Sequence, residues 1–325
     1  MYRLTRFLYP RKKRVVKRIA MHVNDLNVRG VATSVFKYAS FLVKKYDVVI
    51  IYDKNSKFND ELGINKFYNE FEVFGYSEWS EVDRFLVRKR IDLLYMQKHG
   101  NYDGKISKKV PTVVHSVFQA YEPHGNVYAY ISEWLANKFS SKFVPYIVDL
   151  VKPNENLRRK LGIPKNALVF GRHGAFTQFN LDFVQKAVYD IAKKNKNIYF
   201  LFMNTKPFCK PLKNIIHIDK SIDEQFKSNF INTCDAMIHA REMGESFGLA
   251  VAEFLFLDKP VISFYGGYDK NHIFMLKNEG MWYKDYDSFK DRILNFKRLK
   301  SGSYKELVKE FSPEKVIDKF IRVFT

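Results

Sequence analysis

Along almost the whole chain, apolar runs of strand length alternate with amphipathic stretches of helical period. In the first half, residues 19–23, 47–52, 72–74, 93–96, 112–114 and 127–131 read as strands, and residues 33–44, 80–89 and 132–139 as helices. The pattern breaks over residues 145–165, which hold Pro153 and Pro164 but no long apolar run. A short charged helix is expected there around residues 156–161, within a stretch that reads as a hinge. Beyond it a second series begins, with strands expected at 167–171, 198–203, 215–218, 236–239 and 260–264. Its helices fall at 181–193, 223–233, 247–257 and 288–296. Alternation of this kind is the signature of parallel sheets covered by helices on both faces. The predicted architecture is therefore α/β, with two Rossmann-like, doubly wound parallel-sheet domains, residues 19–150 and 151–310, facing across a cleft. In such sheets ligands bind outside the carboxyl ends of the strands, where the strand order reverses.

Composition agrees with this reading and removes several others. A chain of 325 residues has the size of two ordinary domains, and its 46% hydrophobic content places it outside the disordered class. No apolar run approaches the ~18 residues of a membrane span, and nothing near the N-terminus resembles a signal peptide, so a cytoplasmic protein is expected. Cys209 and Cys234 are too few for a disulfide framework or a structural zinc site. The net charge of +20 invites a nucleic-acid reading, but its distribution argues otherwise. Arg3, Arg6, Arg11, Lys12, Lys13, Arg14, Lys17 and Arg18 all precede the first acid, Asp25, so residues 1–18 form a basic N-terminal arm. With Leu4, Phe7, Leu8 and Tyr9 among its cations, the arm suits peripheral contact with an anionic membrane surface. The many Lys, Asn, Ile, Phe and Tyr residues share A/T-rich codons, which gives part of the basicity a mutational origin. No zinc-finger spacing or basic zipper accompanies the charge, and no HExxH or Asp-x-Asp pair offers a metal site.

Most of the candidate chemistry lies in residues 241–263, REMGESFGLAVAEFLFLDKPVIS. A strand runs into a loop with Gly244 and Gly248, then into an almost wholly apolar helix, then through Asp258-Lys259-Pro260 into another strand. Glycines at a helix entrance let the backbone approach a ligand, and the free N–H groups there attract phosphate. Glu253 stands inside the apolar helix, where an unpaired carboxylate costs several kcal/mol; it needs a cation, or ligand hydroxyls such as a ribose diol. Glu245, in the glycine loop, can reach a second part of the same ligand or cap the helix start. His99, His115, His124 and His239 stand at strand ends or turns, where structural and cleft-lining roles are both open.

The run from Glu245 to Glu253, with Phe247, Gly248 and the following Lys259-Pro260-Val261 in register, resembles the Glu–seven residues–Glu motif of retaining nucleotide-sugar glycosyltransferases (glycosyltransferase group 1, family 4-like). That family has the glycosyltransferase-B fold, and the resemblance covers essentially the whole chain after the leader. Residues 234–241, CDAMIHAR, are similar to its strand ending in an arginine, here Arg241, and Gly266-Gly267 falls at its glycine pair beside the diphosphate. Leu161-Gly162-Ile163-Pro164 with Val169-Phe170-Gly171-Arg172 resembles the start of its donor domain. In the first half, Asn27-Val28-Arg29-Gly30 resembles the family's glycine loop, with a single glycine in place of two. Val113-Val114-His115 resembles its strand ending in an active-site histidine, and residues 131–135 the helix start that follows.

The resemblance implies transfer of a sugar from a nucleotide-diphosphate sugar to a glycan, lipid or protein acceptor, with retention and without metal or cofactor. The first domain would hold the acceptor and the second the donor, with residues 311–325 a C-terminal helix packing back toward the first. Arg172 would grip the diphosphate, Glu253 the ribose hydroxyls and Glu245 the sugar hydroxyls. Arg241, Ser246, Phe247, Gly248, Gly266 and Gly267 would line the donor, and His115 would hold donor sugar or acceptor from the opposite domain. The family's second phosphate cation, a lysine about five residues after the arginine, is replaced by Thr177 and Gln178, so Lys270 or His173 is expected in its place. That departure motivates an alternative on the same fold, a nucleotide-sugar epimerase or an inactive nucleotide-sugar-binding protein. The charge alone motivates a second, a basic nucleic-acid-binding protein.

Overall fold

The computed structural model describes residues 16–28, 30–297 and 304–325. Most of the basic arm, and Arg29 of the glycine loop, lie outside these residues. The first unit comprises β1 (Arg18–Val23), α1 (Gly30–Leu42), β2 (Asp47–Asp53), α2 (Glu61–Glu70), β3 (Glu72–Tyr76), α3 (Ser80–Arg88), β4 (Leu93–Lys98), β5 (Thr112–Ser116), β6 (Val127–Tyr130), α4 (Glu133–Lys138) and β7 (Lys142–Phe143). Its strands form one sheet in the order β3-β2-β1-β4-β5-β6-β7, parallel throughout. All six residues of β4 are buried, as expected for a central strand covered on both faces.

The second unit runs through β8 (Leu168–His173), α5 (Asp182–Lys194), β9 (Ile198–Met203), β10 (Ile215–Ile218), α6 (Glu224–Thr233) and β11 (Ala236–His239). It continues with β12 (Gly244–Glu245), α7 (Leu249–Phe256), β13 (Val261–Phe264), β14 (Asp269–Lys270), α8 (Asn271–Leu276), β15 (Met281–Tyr283) and α9 (Tyr286–Leu294). Six strands make a parallel sheet in the order β10-β9-β8-β11-β13-β15, while β12 and β14 pair separately. The order reverses beside β1 in the first sheet and beside β8 in the second, so each sheet has its switch point there. After a 3-10 stretch at Tyr304–Phe311, α10 (Pro313–Phe324) packs against the first unit. It buries Val316, Ile317, Phe320 and Phe324, with Phe320 against the rings of Tyr38 and Tyr95 at 5.4 and 5.1 Å. Each such side chain contributes ~1.5–3 kcal/mol of burial, enough to fix the helix in place.

Several elements depart from the sequence pattern. The helix expected around residues 156–161 is a turn, braced by Thr233 Oγ1 and Asn229 Oδ1 accepting the backbone N–H groups of Leu157 and Asn154. Helix α2 is present although no apolar stripe announces it, because only Gly63 and Phe67 of its ten residues are buried. Its start is set by Asp60, whose carboxylate accepts the N–H of Gly63. Helix α7 begins at Leu249 rather than Phe247, because Gly248 takes a left-handed conformation (φ 89°) at its N-cap.

Candidate active site

The carboxyl ends of β8, β9 and β11, the β13–β14 loop and the start of α7 bring the donor-side candidates together. Arg172, at the end of β8, is only 5% exposed. Its guanidinium donates to Thr205 Oγ1 (2.6 Å), to the Ala175 carbonyl (2.8 Å) and, at 3.4 Å, to the Asn204 carbonyl. All three acceptors are neutral, and among the described residues no carboxylate lies within ion-pair distance of it. Burial pulls its pKa down to about 10 despite the attraction of Glu245. A buried cation with no carboxylate in direct contact is poised for an anion. Thr205 and Asn204 are also in the wall of a cavity of about 620 Å³ that Phe176, Pro207, His217 and Asp219 help to line, a size suited to a small ligand.

Glu245 sits on the short strand β12. Its Oε2 accepts from Arg241 (2.7 Å), and its Oε1 lies 3.4 Å from His239 Nε2. Burial opposes ionisation, but the His239 and Arg241 contacts outweigh it and hold the carboxyl at about 2, against an ordinary 4.5. A carboxyl depressed in the folded state stabilises fully above its unfolded value and ceases to do so as pH falls through its folded value. The stability gap between the native chain and Glu245→Gln in urea denaturation is therefore expected to narrow as the pH drops from about 4.5 toward 2.

Glu253 lies one turn into α7 and is 3% exposed. Its Oε1 pairs with Lys227 of α6 at 2.8 Å, and its Oε2 lies 3.2 Å from His173 Nε2. Lys227 is shared with Glu224 at 3.0 Å. Although burial raises the Glu253 carboxyl, Lys227 and His173 bring it below the ordinary range. Burial lowers His173 to about 4, and its ring stacks on Phe254. It is thus neutral near pH 7 and turned toward Glu253, which removes it as the replacement phosphate cation. Lys270, exposed on β14 next to Glu245 in the strand register, keeps that possibility.

Two other expectations are corrected. His115 is fully buried: its Nε2 donates to the Tyr130 and Val144 carbonyls (3.1 and 2.9 Å), and its Nδ1 accepts from Tyr95 Oη at 2.6 Å. With both nitrogens engaged and Phe324 against its ring, it is a core residue and not a ligand contact. Phe247 is likewise buried, packed on Tyr146 and Phe311, while Ser246 beside it is 7% exposed. Gly30 opens α1, and among the described residues nothing lies within 4 Å of where a Cβ would stand on it. Of the other histidines, His124 bonds the Glu122 carbonyl within its own turn, His99 is exposed beside Phe118, and His239 is buried on Ser263.

No family profile matches the sequence, and no curated protein matches it. Solved structures do. HepE of Anabaena, crystallised with UDP-glucose, aligns over 94% of this chain and 98% of its own at a TM-score of 0.75 and 12% identity. A glycosyltransferase from Rickettsia africae aligns over 95% and 98%, at a TM-score of 0.68 and 12% identity. The chain has the glycosyltransferase-B fold. At such identities the fold is what is shared, and a putative UDP-N-acetylglucosamine 2-epimerase from Listeria monocytogenes also aligns, over 94% and 95% with a TM-score of 0.61 and 7% identity.

Within this glycosyltransferase-B fold, three residues stand at the site that sequence reasoning passed over. Lys227 neutralises Glu253, Thr205 anchors Arg172, and Gln119 of the first unit reaches Asp269 at 2.7 Å. None belongs to a recognisable motif, because each acts through a contact made only when separate elements pack. Among the described residues no group of acids, histidines and cysteines is arranged to hold a metal, and no helix is long and apolar enough to cross a membrane.

Proposed function

We propose that the chain is a retaining, metal-independent glycosyltransferase that moves a sugar from a nucleoside-diphosphate sugar to a hydroxyl of a glycan, lipid or protein acceptor. The buried Arg172, without an acid partner and sharing Thr205 with a 620 Å³ cavity, carries this reading. The nucleoside occupies the cavity, and the diphosphate meets Arg172, the exposed Lys270 and the free first-turn N–H groups of α7. Glu253 takes the ribose hydroxyls, in competition with Lys227, and the ionised Glu245 holds sugar hydroxyls. When the bond from the anomeric carbon to the diphosphate oxygen breaks, Arg172 takes up the growing negative charge; the departing oxygen receives the acceptor proton as the new glycosidic bond forms on the same face. The UDP-glucose complex of HepE, on the same fold, supports a nucleotide-sugar donor.

Calorimetry with UDP, GDP and ADP is expected to find micromolar to millimolar binding by at least one, and a panel of nucleotide sugars should reveal turnover. Glu245→Gln should lower that turnover ~100-fold while leaving nucleoside-diphosphate affinity unchanged, since a misplaced sugar alone costs about this much. Failure of every nucleoside diphosphate to bind would sink the proposal. Formation of an epimeric donor in the absence of acceptor would replace transfer by epimerisation.

A further inference from the structure

The two units touch at a point with no place in the chemistry above. Gln119 lies in the loop after β5. Tyr130 Oη holds this loop through the neighbouring Ala120 carbonyl (2.7 Å), while the one proton of Tyr128 Oη is shared between the Gly100 and Ala120 carbonyls (2.8 and 3.0 Å). From this loop the Gln119 amide nitrogen crosses to the second unit, donating to the Tyr268 carbonyl (2.9 Å) and to Asp269 Oδ1 (2.7 Å). Its amide oxygen accepts from Lys138 Nζ of α4, which also sits 5.5 Å from the centre of the Tyr268 ring. The amide orientation is thereby fixed from both ends.

Asp269 is 4% exposed, and among the described residues Gln119 is the one hydrogen-bond donor to its carboxylate. Its backbone is the other half of the small sheet that carries Glu245: Gly244 pairs with Asp269 and Glu245 with Lys270. The Asp269 N–H also donates to the Met243 carbonyl at 2.8 Å. These segments interlock through two left-handed glycines. A Cβ on Gly244 would fall 1.9 Å from the Asp269 carbonyl oxygen, and one on Gly267 would fall 2.6 Å from the Gly244 nitrogen. At such separations backbone lies directly on backbone, so the Gly267–Asp269 loop cannot shift without carrying β12 with it.

We infer that Gln119 is a positioning residue, which sets the Glu245 strand through Asp269 when the two units are apposed. Grip on the donor sugar is thus coupled to closure of the first unit over the second. The inference rests on the reading of Glu245 as the sugar-binding carboxylate, and hydrogen exchange separates the two because it needs no ligand.

In the ligand-free chain, Gln119→Leu is expected to raise amide exchange at residues 243–246 at least ~10-fold, although Gln119 touches none of them. Gln119→Glu places a second carboxylate against Asp269. Arg241 and Lys138 face Asp269 as cations and Glu245 as an anion, so the new pair can share one proton at low pH but repels when both ionise. Exchange at 243–246 and loss of UDP-glucose turnover should therefore increase together as pH rises in this variant. Adding Asp269→Asn, which supplies an amide donor to the new carboxylate, should restore both. Unchanged protection of 243–246 in Gln119→Leu, or a native pH profile in Gln119→Glu, would overturn the inference. Full UDP-glucose turnover by Glu245→Gln would instead overturn the reading beneath it, and with it the functional half of the coupling.

Discussion

Arg172→Leu is expected to lower kcat/KM for the nucleotide sugar ~1,000-fold while changing stability by no more than ~1 kcal/mol. The two halves of that expectation have one origin. The guanidinium is 5% exposed and carries a full charge without a carboxylate partner, so its burial costs free energy that leucine recovers. Against this stand three lost hydrogen bonds to neutral acceptors, each worth about 1 kcal/mol net. These terms nearly cancel in the folded chain without ligand. They do not cancel in the transition state, where charge gathers on the departing diphosphate and loss of one preorganised donor typically costs ~10²–10³ in rate. Arg172→Lys keeps the charge but not the fork, and should recover only part of the loss. Steady-state kinetics alongside thermal melting checks both halves. A large drop in melting temperature with turnover within threefold of native would make Arg172 a structural residue.

Lys227→Met should have the opposite profile, destabilising the chain by ~3–5 kcal/mol in urea denaturation. The lysine pairs with two carboxylates, of which Glu253 is almost wholly buried. Removing the cation leaves Glu253 beside a histidine held neutral by burial, with only the more distant attraction of Lys37, which makes no ion pair with it, in place of the one lost. The double variant Lys227→Met/Glu253→Gln should recover most of the loss, because the orphaned charge goes with it. If the single variant loses less than ~1 kcal/mol, water reaches Glu253 and the site is wetter than its burial implies. Bound nucleoside diphosphate should protect Lys227→Met more than the native chain, since ribose hydroxyls would solvate the same carboxylate.

Where the chemistry depends on local sequence, it is legible without coordinates. The apolar strands at 93–96 and 198–203 are buried on both faces and read directly as such. The placing of Gly248 between Glu245 and Glu253, at the entrance of an apolar helix, is read from the sequence, and Gly248 is the N-cap of α7. What escapes is made by packing. Lys227 is one of many lysines on amphipathic helices, and only the contact of α6 with α7 distinguishes it. His115 looks like a cleft residue because it ends a strand; its burial depends on Phe324, more than two hundred residues away, closing over the ring. Phe247 belongs to the motif by position, yet its ring is taken up by Tyr146 and Phe311 where the units join. Strands β12 and β14 are two residues each, too short for any periodicity to declare them.

Helix α10 places a constraint on how the molecule comes to be made. Its Phe320 and Phe324 complete the aromatic cluster of Tyr38, Tyr95 and His115 at the centre of the first sheet. During synthesis, the first 150 residues leave the ribosome with that cluster open to water, and it stays open while the entire second unit is translated. The first unit therefore completes this cluster only after the second has been made, through contacts such as Tyr38 with Phe320 that close a loop of nearly three hundred residues. In the interval those uncovered rings are apolar surface of the kind chaperones bind.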